Sequence, residues 1–323
     1  MGNRLKIFSR IGFIRVELSC FQEELYQNLK NSLLIEKPGE SQIKTKIISL
    51  PVILREKLSF LKNYPSVEPD TYALGLGNYF YFAKGGEKLT TIGILNYLQK
   101  KISIFFDPES FCFEEIRTTY FALIREGMKI FEYYPLHCAG VSKNGKVILI
   151  LAPGGTGKTA LSLQLLQQSF SLLSDDTVFI RDTPSGILAA GFFEKPRIDF
   201  GHKKLFPHLE LPSEKLVGVN KKWHIDLKKN HLKTDPIEEN PYLLFFLTRS
   251  PRFFLFPITQ KASFLLLQKQ LSFQNSCAEF FKNYFHLLLK LNHTTRSFAL
   301  GGSSISQLGD VVEKSAENFI KDS

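Results

Sequence analysis

The sequence predicts an α/β protein, a mixed-sheet phosphate-loop domain preceded by a smaller α+β domain. Three observations predict it. An apolar run, Val147–Leu151, leads into a glycine-rich loop and then into an amphipathic run, Thr159–Ser169. A Lys143-Asn144-Gly145 turn joins the apolar run to a second one, His137–Ser142, and Asn-Gly is the strongest short hairpin signal. The stretch before Glu109 mixes strand-like and helix-like segments without any phosphate loop, metal cluster or nucleophile motif.

The first domain, residues 1–109, opens with a strand whose Ile14, Val16 and Leu18 share one face. A helix follows over Phe21–Lys30, and an aromatic run stands at Tyr79–Phe82. Leu89–Asp107 reads as strand, helix and strand. This domain is expected to act as a scaffold or to select a substrate. The second domain, residues 110–323, begins with a helix over Phe113–Glu132, where Ile116, Tyr120, Ile124 and Met128 recur every four residues. Pro135 ends it. The hairpin comes next, so the strand feeding the loop is one arm of an antiparallel pair.

Beyond the loop, Leu161 and Leu165 mark one face of the helix Thr159–Ser169. Leu172-Leu173 start a strand whose first half ends at Asp175-Asp176 and which Val178–Ile180 continue. Ser185-Gly186 turns the chain into Ile187–Ala190. Strands at Leu243–Thr248 and Phe253–Pro257 bracket a Ser250-Pro251 turn, and helices follow at Lys261–Lys269 and Cys277–Leu291.

Composition bounds the class. With 323 residues, 44% hydrophobic and 22% charged, the chain is in the range of soluble globular proteins and outside the disordered and collagen-like classes. No apolar stretch is long enough to span roughly 30 Å of hydrocarbon. Arg4, Lys6, Arg10 and Arg15 interrupt any signal-peptide core. Cys20, Cys112, Cys138 and Cys277 are scattered, which argues against a disulfide scaffold or zinc site and for a reducing cytoplasm. The net charge of +10 attracts phosphates of any kind. The densest basic stretch, Lys221–Lys233, contains a single aromatic residue, Trp223, and reads as a solvated basic loop or hairpin rather than a nucleic-acid surface.

The chemistry concentrates in Ala152-Pro153-Gly154-Gly155-Thr156-Gly157-Lys158-Thr159. The phosphate-loop pattern is G-x-x-x-x-G-K-[ST], with Ala152 here in the first place. Gly154, Gly155 and Gly157 let the backbone turn its N–H groups around an anion, and the helix that follows adds its positive end. Lys158 suits the outer phosphates of a nucleotide, and the Thr159 hydroxyl suits Mg²⁺. Asp175 and Asp176 stand 17 and 18 residues beyond Lys158, the length of a three-turn helix and a return strand. One carboxylate of such a pair can hold the metal and the other can take a proton from an attacking hydroxyl. His137, at the start of the hairpin, is a candidate by position.

The runs Leu136-His137-Cys138-Ala139-Gly140-Val141, Ala152–Thr159 and Leu172-Leu173-Ser174-Asp175-Asp176 resemble the HPr kinase/phosphorylase family, and most closely its divergent HPr kinase-related branch. The fold of that family is shared with the C-terminal domains of phosphoenolpyruvate carboxykinases. The likeness covers about 40 residues well, and Tyr242–Phe264 resembles the family's later strand pair and helix more distantly.

The resemblance implies an ATP- and Mg²⁺-dependent kinase acting on a serine-type hydroxyl of a protein, peptide or small molecule. Pro153 through Thr159 would bind the nucleotide, with Arg197 as a further basic contact. Asp175 would be the base, Thr159 and Asp176 would hold the metal, and His137 would lie beside the reacting phosphate. Relatives of this fold assemble, which implies a homo-oligomer. The chain departs from the family at Ala160, where an acidic residue is usual, and lacks a signature similar to E-I-R-G-L-G-I after Asp176. These departures weigh against reverse phosphorolysis and against HPr as the acceptor, and the sequence does not decide either. Two other readings stay open. One is a nucleotide-binding regulatory module without transfer activity, which Ala152 and Ala160 favour. The other is a nucleic-acid-stimulated NTPase, motivated by the charge alone.

Overall fold

Alternating apolar residues in the first strands place a buried stripe every second position, and a sheet follows from it. The computed structural model describes residues 5–33, 37–49, 56–63, 66–192, 194–211, 222–234, 239–270 and 278–321. Lys221 and Cys277 lie outside the described residues. The chain divides into two compact units, residues 1–134 with 273–283 and residues 135–272 with 284–323.

The first unit is built on an eight-stranded mixed sheet. Its strands are β1 (Leu5–Ile11), β2 (Ile14–Cys20), β3 (Ile43–Ser49), β4 (Ser66–Glu68), β5 (Thr71–Leu76), β6 (Tyr79–Lys84), β7 (Thr91–Asn96) and β8 (Lys101–Phe106). Their spatial order is β1-β2-β3-β8-β7-β6-β5-β4. β3 runs parallel to both β2 and β8, and the remaining pairs are antiparallel. Val16 and Leu18 are buried, on the face expected for them. Helix α1 (Glu23–Ser32) follows β2 close to its expected place.

Two readings need correction here. The helix expected between Leu89 and Asp107 is a four-residue turn. β7 and β8 pair directly from Thr91↔Phe106 to Asn96↔Lys101. The Asn96 side chain accepts from the Gln99 backbone N–H, and Lys100 takes φ 53°, so the chain reverses before a helical turn can form. Helix α2 (Phe113–Met128), read above with the second domain, packs on β6, β7 and β8 of the first unit. Gly93 permits this approach. A Cβ there would stand 2.4 Å from Leu123 Cδ1 and 2.6 Å from Thr119 Cγ2.

The second unit carries β9 (Tyr134–Leu136), β10 (Cys138–Lys143), β11 (Lys146–Leu151), α3 (Lys158–Gln167), β12 (Ser171–Ser174), β13 (Val178–Thr183), β14 (Gly186–Gly191), β15 (Arg197–Asp199), β16 (Lys222–His224), β17 (Asn240–Arg249), β18 (Phe254–Pro257), α4 (Gln260–Gln268), β19 (Arg296–Gly302) and α6 (Ile305–Lys321). Helix α5 (Ala278–Thr294) precedes β19. The main sheet has the order β12-β10-β11-β17-β19-β18. β10 and β11 form the expected hairpin from Cys138↔Leu151 to Lys143↔Lys146, with Asn144 and Gly145 at φ 55° and 74°.

β11 then pairs in parallel with β17, and β17 with β19. The sheet is therefore mixed, as the sequence predicts. β17 and β18 do not pair with each other, because β19 lies between them. The run expected to continue from Leu172 through Ile180 is two strands in two sheets. β12 ends at Ser174, and β13 joins β14 and β9.

The core beside the loop combines Ala139, Val141, Ile148 and Ile150 of the sheet with Leu161 and Leu165 of α3 and Leu308, Val312 and Ala316 of α6. Burying each large aliphatic side chain contributes roughly 1.5–3 kcal/mol, so this cluster fixes where α3 starts. Among the described residues, no helix is long and apolar enough to cross a membrane.

Candidate functional site

β11 is fully buried after its first residue and lies between two hydrogen-bonded neighbours, so its C-terminal end is a fixed point. The glycine loop leaves the sheet there. Gly155 and Gly157 have φ 72° and 113°, a backbone region costly for any residue with a Cβ. A Cβ at Gly154 or Gly155 would meet nothing within 4 Å. Conformation and not crowding therefore calls for glycine at 155 and 157. Thr156 closes the turn by donating its Oγ1–H to the Pro153 carbonyl at 2.9 Å.

Helix α3 begins with Gly157 as its cap, without a capping side chain and without an acidic residue in its first turn. Its first N–H groups are left for solvent or an anion. The loop and helix start line a cleft of about 650 Å³ that includes Gly154, Gly155, Gly157, Lys158, Thr159 and Asp176.

Lys158 is buried and turned back. Its Nζ donates to the Ala152 carbonyl at 2.6 Å and stands 3.0 Å from His137 Nε2. Burial lowers its pKa, and the charge of Asp176 works against that. An ammonium donor at Nε2 makes that nitrogen the acceptor and assigns the His137 proton to Nδ1. Nδ1 stands 3.6 Å from Asp176 Oδ1. Lys158, His137 and Asp176 therefore form one line.

Asp175 belongs to a different set. Its Oδ2 accepts from the Thr159 hydroxyl at 3.1 Å and from the Arg197 backbone N–H at 3.3 Å. Its Oδ1 is buried and has no hydrogen-bond partner. Burial, reinforced by the Asp176 charge, raises its pKa to about 7, while the Thr159 and Arg197 bonds pull it down. A carboxylate half-neutral near pH 7 with one unspent oxygen suits proton transfer.

The structure thus brings His137, Lys158, Thr159, Asp175, Asp176 and the Arg197 backbone around the glycine loop. The Arg197 side chain pairs with Glu194 at 3.3 Å while still lining the cleft. Pro153 and Thr156 shape the turn through their mutual bonds. Several neighbours were not visible beforehand. Glu194, Lys195 and Lys222 line the site, and Arg249, at the end of β17, donates to the Gly155 carbonyl. Lys222 falls inside the basic run read as solvated. It reaches the site because β16 pairs with β15, Arg197↔His224 through Asp199↔Lys222.

The nucleotide and Mg²⁺ that the resemblance implies can be tested against these residues. The oxygen donors present, the Thr159 hydroxyl and the two aspartates, are those a hard cation prefers, and Asp175 Oδ1 is an orphaned buried acceptor. Among the described residues no group of three or more His, Cys, Asp and Glu side chains forms a metal site, so phosphate oxygens would have to complete the shell. The fit is to a metal that arrives with a nucleotide.

No protein-family model matches the chain, and no curated protein does. Among solved structures, the chain is similar to the Hpr(Ser) kinase/phosphatase from Coxiella burnetii. The TM-score is 0.31 and the identity 12%, over 58% of this chain and 97% of that one. At that level the likeness decides neither fold nor activity, and both rest on the residues themselves.

Proposed function

We propose that the chain is an ATP- and Mg²⁺-dependent kinase that transfers the γ-phosphate to a serine-type hydroxyl. The observation that carries this reading is Asp175, a half-buried carboxylate bonded to Thr159 at the helix start, with its buried Oδ1 unspent and its pKa near 7. In this reading the uncapped N–H groups of α3 and Lys158 bind the phosphates. Lys158 leaves the Ala152 carbonyl to reach them, and His137 keeps it oriented. Thr159 and Asp176 would hold Mg²⁺, which supplies charge neutralisation at the phosphate oxygens. Asp175 takes the proton of the acceptor hydroxyl through Oδ1. Positioning and charge stabilisation do most of the work in such transfers.

A second reading has its own observation. Lys158 is held back by Ala152 and His137, which suits a nucleotide-gated module without transfer activity. The two readings separate in one assay. Purified protein is incubated with Mg²⁺ and γ-labelled ATP in clarified extract of its source organism, with Lys158→Ala as control. Label in a new species, absent from the control, is expected. Nucleotide bound by the wild type with no label transferred would select the silent module instead.

A further inference from the structure

The eight-stranded sheet of the first unit has two unlike faces. Helix α2 covers one, where Leu123 and Thr119 pack over Gly93. The other is closed at one end. There Leu58 and Leu61, beside and within the 3₁₀ turn Ser59–Asn63, pack on Ala83 and Ile92. Away from that turn, the side chains of β3, β6, β7 and β8 on this face are half-buried or exposed.

The strand register sets these side chains in rows, because residues opposite one another share a face. One row runs Tyr79, Asn96, Lys101, Lys44, from β6 through β7 and β8 to β3. The next runs Tyr81, Ile94, Ser103, Lys46. Each row starts at an aromatic ring and ends at a lysine. With strands about 4.8 Å apart, a row spans roughly 14 Å. Tyr79 is 41% exposed, and its ring centroid stands 6.2 Å from that of Tyr81. Phe21, 48% exposed, lies at the lysine end, with Lys46 Nζ 5.9 Å from its ring centroid.

The charge of this face has one sign. Glu17 is its one acid among the described residues of β1–β3 and β6–β8, and Lys6 holds that carboxylate at 3.0 Å. Among the described residues, Lys44, Lys46 and Lys101 make no ion pair, and all three are exposed. Cations beside open rings call for a partner that carries negative charge and flat rings together. An acidic peptide has the charge without a ring at each unit. A second copy of the chain would set the same lysines against one another across a two-fold contact. A single-stranded nucleic acid has a phosphate and an unpaired base at every unit. The basic stretch of the second unit lacks this pairing, because its Trp223 is buried and offers no ring face.

We infer that this open sheet face binds single-stranded nucleic acid. Bases stack on Tyr79 and Tyr81, and Lys44, Lys46 and Lys101 hold phosphates. At the stacked rise of about 3.4 Å, a row accommodates at most about four nucleotides. The strand is RNA or DNA, since both carry this chemistry. The inference stands apart from the kinase reading and uses none of its residues.

The test is fluorescence anisotropy of short labelled single strands, one RNA and one DNA of the same mixed sequence, titrated with the full chain across a salt series. Three phosphate contacts predict that log K falls with log salt at a slope of about −2. Lys44→Gln combined with Lys101→Gln should weaken binding and bring the slope to about −0.7. Tyr79→Ala should weaken binding at least fivefold with the slope unchanged, and Tyr79→Phe should restore it. Tighter binding of RNA assigns the strand to RNA through its 2′-hydroxyl, and equal affinity means that base and phosphate are bound without regard to the sugar. No binding at the lowest salt overturns the inference. So does equal affinity for a duplex of the same sequence, or for polyglutamate of matched charge, which would make the partner an acidic protein. Binding lost in Lys228→Gln with Lys229→Gln, and unchanged in the sheet variants, overturns it as well.

Discussion

Two carboxylates with buried oxygens, one in each unit, are treated in opposite ways. In the first unit, Glu126 Oε2 accepts from Lys129 Nζ at 2.6 Å and Oε1 accepts from the Tyr97 hydroxyl at 2.9 Å. Both partners of that ion pair are at most 5% exposed, and each Glu126 oxygen has a donor. In the second unit, Asp175 spends one oxygen on Thr159 and Arg197 and keeps the other unpartnered. A satisfied buried charge holds a fold in one arrangement. An unsatisfied one costs stability and is retained where chemistry needs it. In the proposed reading, this contrast marks Glu126 as structural and Asp175 as functional.

Substitutions can break or sharpen this contrast. The largest effect is expected at Lys158. Lys158→Ala should abolish phosphoryl transfer and weaken nucleotide binding at least tenfold, measured by label transfer and by titration with a fluorescent nucleotide. Next comes Glu126→Gln, which leaves Lys129 buried without its counter-charge. It should cost about 3 kcal/mol, as single-partner removal from buried pairs does, and show as a lower urea midpoint with nucleotide affinity unchanged.

The third effect has the opposite sign. Asp175 has a folded pKa of about 7 against 3.8 for an ordinary aspartate. Between those values the unfolded chain ionises and the folded chain does not, so stability falls as pH rises and the loss is complete above about pH 7. Asp175→Asn removes this loss. It should stabilise the nucleotide-free protein at pH 8 by on the order of 2 kcal/mol, and by much less at pH 4. A variant less stable than wild type at pH 8 would mean that the Thr159 and Arg197 bonds outweigh burial. The smallest effect is expected at Gly93. Gly93→Ala presses on Leu123 and Thr119 and should cost about 1–2 kcal/mol by thermal melting, with nucleotide affinity unchanged.

Much of this was legible beforehand where local chemistry is dictated by sequence. The Asn144-Gly145 hairpin, the strand Lys146–Leu151, the glycine loop and helix Lys158–Gln167 depend on neighbours in the chain, and they form as expected. The grouping of His137 with Lys158 follows from that hairpin. Elements that depend on distant partners were harder to read. β19 and α6 went unread, although Leu308, Val312 and Ala316 repeat every four residues. The break after Ser174 was invisible because β12 and β13 look like one apolar run and part only to enter different sheets. Lys222 looked like a solvated charge until β16 paired with β15 and carried it to the site. The unspent oxygen of Asp175 is a property of packing and has no pattern in the sequence.

The central claim, that Asp175 is the base of a phosphoryl transfer, is tested most directly by single-turnover transfer against pH in wild type and Asp175→Asn. The wild-type rate should rise with pH as the Asp175 carboxylate loses its proton, with a midpoint below the metal-free value of about 7, because Mg²⁺ beside Asp176 favours the charged form. Asp175→Asn should be slower by about 10²–10⁴-fold, flat across that range, with nucleotide affinity within about threefold of wild type. Near-normal turnover in Asp175→Asn, with the same rise with pH as wild type, would contradict the account.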